Sequence, residues 1–208
     1  HEYGVSPEDI EWVVSAADSS AEDAGQVSEQ EQMVPEGISI SVGPTGKDES
    51  DLLLDGDVDA LFHAAEPKAF VDGHPKVKRL FPDPRAAERD YFRRTGIFPI
   101  MHAVAMRNDL IDAHPWLPKA VFDAYSQAKQ QRYQAMRREW LLGTLPWYGQ
   151  ELDETRSLMG ENFWPYGVEA NATALNALFQ YSYEQGLTKE RLTVDELFHP
   201  TTLQLTEL

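Results

Sequence analysis

The 208-residue sequence contains no cysteine. Disulfides, thiolate zinc sites, iron–sulfur clusters and cysteine nucleophiles are excluded together, and the redox compartment is left undefined. Positive charge is also scarce, with 18 Lys and Arg against 35 Asp and Glu and a formal net charge of −17. A phosphate backbone or an anionic membrane needs a concentrated cationic face, so nucleic acid is not an expected partner. Long apolar runs are missing too. The most apolar stretch, Gly96 to Met106, carries His102 and stops at Arg107, well short of the roughly 20 residues of a membrane span. The sequence holds no GxGxxG, P-loop or GxSxG pattern, and no HxH, HxxxH or HExxH spacing. Nucleotide binding, serine hydrolysis and a histidine metal site therefore have no motif behind them, and neither a metal nor a cofactor is expected.

What is present suffices for a packed core of one or two domains, with 42% hydrophobic residues and 11% aromatics. The charge is unevenly spread. From His1 to Asp59 the only base is Lys47, whereas most of the others lie between Lys76 and Arg138. An anionic small molecule belongs near that second region.

Patterning along the chain predicts an α/β protein. Trp12 to Val14 reads as a short buried strand, Ser15 to Gly37 as a solvated acidic loop, and Ile38 to Val42 as an alternating strand. A helix over Asp48 to Leu54, stopped by Gly56, leads to a strand over Val58 to Phe62, giving the strand–helix–strand unit of a parallel sheet. Prolines punctuate Glu66 to Pro84, which reads as loop around one short strand at Val77 to Phe81. Pro84 to Thr95 reads as a helix, and Ile97 to Met106 as a long apolar strand with an irregularity at Pro99. Beyond it the pattern is helical: Asn108 to Asp112, Leu117 to Leu142 with Val121, Tyr125 and Ala128 on one face, Gly149 to Met159, Val168 to Gln185, and a turn at Val194 to Phe198. The few strands before residue 107, with almost only helix after it, fall short of a complete doubly wound sheet. That imbalance leads us to expect a missing first third, and the opening on His1 leaves both a cleaved signal and a missing upstream segment open.

Three phrases carry a resemblance: GIFPIMHAVAMRNDLIDAHPWLPKAVFDAYSQAK from Gly96 to Lys129, NFWPYGVEANATALNALFQYSYEQGL from Asn162 to Leu187, and RLTVDELFHP from Arg191 to Pro200. With HEYGVSPEDIEWV and LLLDGDVDAL they resemble the 4,5-dihydroxyphthalate decarboxylase family along nearly the whole chain, except the loop from Ser15 to Gly37. That resemblance implies a periplasmic-binding-protein type II-like fold, two lobes around a ligand cleft. Residues 1–85 would form the second lobe, and residues 86–208 the returning, mostly helical part of an incomplete first lobe. The family pattern carries an arginine shortly after the Asp-Ala-Leu strand, where this sequence reads His63-Ala64-Ala65-Glu66-Pro67. An arginine fork is the best carboxylate clamp, and Lys68 is the cation left to replace it.

The implied reaction removes carbon dioxide from an aromatic dicarboxylate, and it needs a base, an acid and a cation. His102, in the middle of the apolar strand, is the expected base, because imidazole titrates near neutrality. Glu66 and His63 follow the strand ending at Phe62, where open α/β sheets bind ligands, and either could move a proton. Lys68 and Arg107 are the expected carboxylate contacts, and Trp164 and Tyr166 can stack on an aromatic ring. The expected partner is a small aromatic or organic carboxylate, with self-association left open. The expected location is the cytoplasm. The competing expectation is the solute-binding protein of an ABC-type importer for a small organic anion. It would share the cleft, need no acid or base, and lie in the periplasm.

Overall fold

The computed structural model describes residues 3–16, 34–63 and 65–207. The acidic stretch from Ser15 to Gly37 lies for the most part outside them. The described residues fall into two compact units: His1–Pro84 with Gln185–Leu187, and Arg85–Glu184 with Thr188–Leu208. The first is largely irregular with short helices, the second is dominated by helix, and the sheet among the described residues is a single parallel pair.

In the first unit that pair joins β1 (Trp12–Val14) to β2 (Ile40–Val42), in the register Trp12 to Ile40, Val13 to Ser41 and Val14 to Val42. The Gly43 N–H extends the ladder by donating to Val14 O at 2.9 Å. Trp12 Nε1 donates to Pro7 O at 3.0 Å, tying the strand to the turn before it. Helix α1 (Glu49–Asp55) starts from a reciprocal cap, in which Asp48 accepts from the Asp51 N–H at 2.8 Å and Asp51 accepts from the Asp48 N–H. It ends at Gly56, whose φ of 79° lies in the left-handed region that favours glycine. A short helix, α2 (Lys68–Val71), packs on α1. The Ala69 N–H donates to Ser50 Oγ at 3.1 Å, with Leu52 and Ala69 buried beside it.

The second unit holds α3 (Pro84–Thr95, beginning one residue before the unit), α4 (Asn108–Ala113), α5 (Leu117–Leu142), α6 (Tyr148–Met159), α7 (Ala172–Glu184) and α8 (Val194–Leu197). Its buried apolar residues are Ile111, Leu152, Phe163, Leu175 and Phe179. Proline opens α3 and follows the first residue of α5, where its missing N–H would be unpaired in any case. No helix among the described residues is long and apolar enough to cross a membrane.

Three expected strands are absent. At Val58 to Phe62, the Asp57 and Val58 N–H groups turn back to Leu52 O at 2.9 and 3.3 Å, which closes the end of α1 and removes a ladder donor. At Val77 to Phe81 the chain begins in a turn, with Val77 N–H donating to His74 O at 3.0 Å, and α2 occupies part of the expected loop. Ile97 to Met106 is irregular throughout and pairs with no described strand. An apolar stretch becomes a strand only when another backbone supplies the ladder. The α/β expectation is thus met by one parallel pair in a mostly helical chain. The α5 face predicted from periodicity also departs, since Val121 is half-buried and Tyr125 and Ala128 are exposed, while Lys129 is buried.

Candidate functional site

The aromatic segment Asn162 to Gly167 lies along α5 in the second unit, and a groove of about 500 Å³ runs between them. Its walls include Tyr125, Tyr133, Phe163, Trp164 and Tyr166, with Lys129 and Arg132 as the cations. The ring of Phe163 stacks on Tyr133 at 4.8 Å, and Trp164 meets Phe98 edge-on at 5.0 Å. Backbone bonds fix the loop: Trp164 N–H donates to the Tyr133 hydroxyl at 3.0 Å. Asn171 Nδ2 donates to the carbonyls of Pro165 and Gly167 at 2.8 and 2.9 Å.

Beneath the loop lies a buried ion pair. The side chains of Lys129 and Glu207 are 6% and 9% exposed, and Nζ lies 2.5 Å from Oε1. The ammonium donates to Asn162 Oδ1 at 2.9 Å, Trp164 O at 2.6 Å and Glu207 Oε2 at 2.6 Å. All three of its donors are used. It also sits 4.2 Å from the Tyr166 ring centroid and 5.7 Å from that of Tyr133. Glu207 Oε2 accepts further bonds from Asn162 Nδ2 and the Tyr166 N–H, both at 2.9 Å. Burial alone would push the Glu207 carboxyl up, but bonds from Lys129, the Tyr166 N–H and Asn162, with the lysine charge, hold it below the usual carboxylate range. Burial first, and then the nearby Glu207 charge, push the hydroxyls of Tyr133 and Tyr166 up, with the Trp164 N–H partly opposing at Tyr133.

Gly167 lets the tail reach this position. Its φ is 104°, and a Cβ there would stand 2.6 Å from Leu205 O. Arg132, at the groove and 58% exposed, forms a two-point ion pair with Glu139, which also accepts from the Tyr148 hydroxyl. The arrangement suits a planar ring, with aromatic faces at the sides and a guanidinium within reach of a charged substituent.

Of the residues singled out from sequence, only Trp164 and Tyr166 are brought together here. His102 is exposed in the irregular segment after α3. Arg107 is 79% exposed and forks onto Asp109 at 3.0 and 2.7 Å. In the first unit Glu66 pairs with Arg79, which lies over the Phe70 ring at 4.8 Å. His63 Nδ1 accepts from the Ala65 N–H at 3.0 Å, and Lys68 pairs with Asp72. The bases expected to draw an anion are largely neutralised by neighbours: Arg85 and Arg89 meet Glu151 and Glu154, Arg94 meets Asp90, and Lys119 meets Asp123. Among the described residues no group of three or more His, Asp or Glu side chains could hold a metal ion. The sequence reading missed Lys129, Arg132 and Glu207. One signal was available: Lys129 stands four residues from both Tyr125 and Tyr133, a lysine between two aromatics on one helical stripe.

No family model matches the chain. Over 204 residues, 98% of its length, it is 36% identical to 4,5-dihydroxyphthalate decarboxylase from Comamonas testosteroni and covers 61% of that protein. Over 92 residues, 44% of its length, it is 28% identical to 4,5-dihydroxyphthalate decarboxylase from Pseudomonas putida and covers 34% of it. The chain thus spans less than two thirds of these relatives.

Proposed function

From its homology to 4,5-dihydroxyphthalate decarboxylase, with 36% identity along 98% of the chain, we propose that this protein is a carboxy-lyase for an aromatic dicarboxylate such as 4,5-dihydroxyphthalate. In this reading it works in the cytoplasm, without a cofactor, on a periplasmic-binding-protein type II-like fold. Residues 1–85 supply the second lobe and residues 86–208 the returning part of the first.

The substrate chemistry defines the task. In 4,5-dihydroxyphthalate each hydroxyl lies para to a carboxylate. A base removes a phenolic proton, and the electron pair passes through the ring to the carbon bearing the carboxylate, which takes a proton from an acid. The carbon–carboxylate bond then breaks, its electrons restore the aromatic ring as a phenolate, carbon dioxide leaves, and the phenolate takes its proton back from the base to give 3,4-dihydroxybenzoate. One proton is consumed for each carbon dioxide released. We assign the base to His102 and the acid to Glu66. His63, Lys68 and Arg107 are assigned to the carboxylates, and Trp164 and Tyr166 to the ring. The groove beside α5 supports the last assignment, since its two predicted aromatics stand with three others around one cavity. Arg79 joins the list because its ion pair with Glu66 brings an arginine to the stretch where the resembled family has one.

The test is carbon dioxide release from 4,5-dihydroxyphthalate with EDTA present, beside His102→Ala. Release that persists in EDTA and falls at least a hundredfold in the variant is expected. Calorimetric binding of the dicarboxylate without release would make the protein a binding protein for small organic anions instead.

A further inference from the structure

We infer that Lys129 and Glu207 are positioning residues: their buried pair sets the Trp164 and Tyr166 wall of the groove, and neither charge serves as the contact for the ligand's carboxylate. The inference rests on the proposal that this groove takes the aromatic ring. A free lysine at an aromatic groove would be the obvious anion clamp, but this ammonium has no donor left. Its bonds go to Asn162 Oδ1, the Trp164 carbonyl and Glu207 Oε2, inside a site that leaves its side chain 6% exposed. Taking a ligand carboxylate would require breaking at least one of them, whereas Arg132 stands half-exposed at the same groove with donors beyond the two that Glu139 occupies.

What the pair does hold is backbone. Lys129 holds the Trp164 carbonyl and Glu207 the Tyr166 N–H, so one ion pair grips the loop on both sides of Pro165. The grip is closed from the C-terminal segment, which passes so near Gly167 that its Leu205 carbonyl leaves no room for a Cβ. Moving either charge frees the backbone of the two residues whose rings form the wall. A misplacement of about 1 Å at a binding surface is enough to weaken it markedly.

The experiment compares wild type with Lys129→Met, Glu207→Gln, Glu207→Asp and the double Lys129→Met/Glu207→Met. The Trp164 fluorescence is isolated by subtracting the spectrum of Trp164→Phe in each background. Phthalate is the binding probe, followed by calorimetry, and urea unfolding reports the fold. Each charge-removing single variant is expected to shift the Trp164 emission to the red and to weaken phthalate binding about tenfold or more, with Glu207→Asp intermediate. The double variant, relieved of an unpaired buried charge, should regain most of its unfolding midpoint while its Trp164 emission stays shifted and its affinity stays low. A double variant that recovers emission and affinity along with stability would reduce the pair to a fold-holding role and overturn the inference. Loss of phthalate binding in Lys129→Met with unchanged Trp164 emission would make Lys129 a direct contact and overturn it as well. If wild type binds no phthalate, the ring-site proposal fails, while the ligand-free emission still decides whether the pair positions the wall.

Discussion

Two sets of opposite charges brace the second unit, and they differ in almost everything but sign. Arg85 and Arg89 on α3 meet Glu151 and Glu154 on α6 in a four-membered lattice whose glutamates and Arg85 are about half exposed. Lys129 and Glu207 form a single pair, almost wholly enclosed, with every ammonium hydrogen placed. Water and salt can replace the partners in the first set, so each bond there is worth little. In the second no replacement is at hand, and the loss of one member strands the other. The number of contacts is therefore a poor guide to which set the fold depends on.

The largest effect should come from Lys129→Met, which leaves Glu207 buried without its cation and is expected to cost about 3–5 kcal/mol in urea unfolding. Adding Glu207→Met should return most of that loss. Gly167→Ala is next, because it places a methyl group against Leu205 O at a φ that disfavours any side chain. A cost of roughly 1–3 kcal/mol is expected, with earlier proteolytic cleavage of the tail.

Acid should separate the two sets further. The folded Glu207 carboxyl lies below its ordinary value, so its contribution is present in full above the unfolded value of about 4.3 and is lost as pH falls through the depressed one. Tyr133 and Tyr166, both pushed up, remain protonated throughout that window. Urea midpoints measured at neutral pH and in stepwise acid should decline more for wild type than for the Lys129→Met/Glu207→Met protein. The smallest effect belongs to Arg85→Ala, which should leave the midpoint within replicate error in 1 M salt, where exposed pairs are screened.

The helices were legible because their ends are written locally. Pro84 and Gly96 bracket α3, and Trp116-Leu117-Pro118 and Gly143 bracket α5, so the predicted and observed spans coincide. Among the strands, Trp12 to Val14 was legible in full and Ile38 to Val42 in part, but three others were not, for the ladder that defines a strand lies elsewhere in the chain. Val58 to Phe62, Val77 to Phe81 and Ile97 to Met106 have the composition of strands and lack a partner among the described residues. At the groove, Trp164 and Tyr166 announced themselves as an aromatic cluster. Lys129 sits in a run, Gln127 to Arg132, that looks like a solvated face, and Glu207 is 78 residues away from it. Only tertiary structure makes the two a pair.

That separation has a consequence for biosynthesis. A ribosome adding roughly 5–20 residues per second delivers Lys129 several seconds before Glu207, with the Asn162 to Gly167 loop made in between. Through that interval the lysine must stay hydrated, and the aromatic loop can touch α5 without being locked to it. The groove can therefore be locked only after Glu207 has emerged. A stall between Lys129 and Glu207 would leave α5 made and the aromatic wall still unfastened.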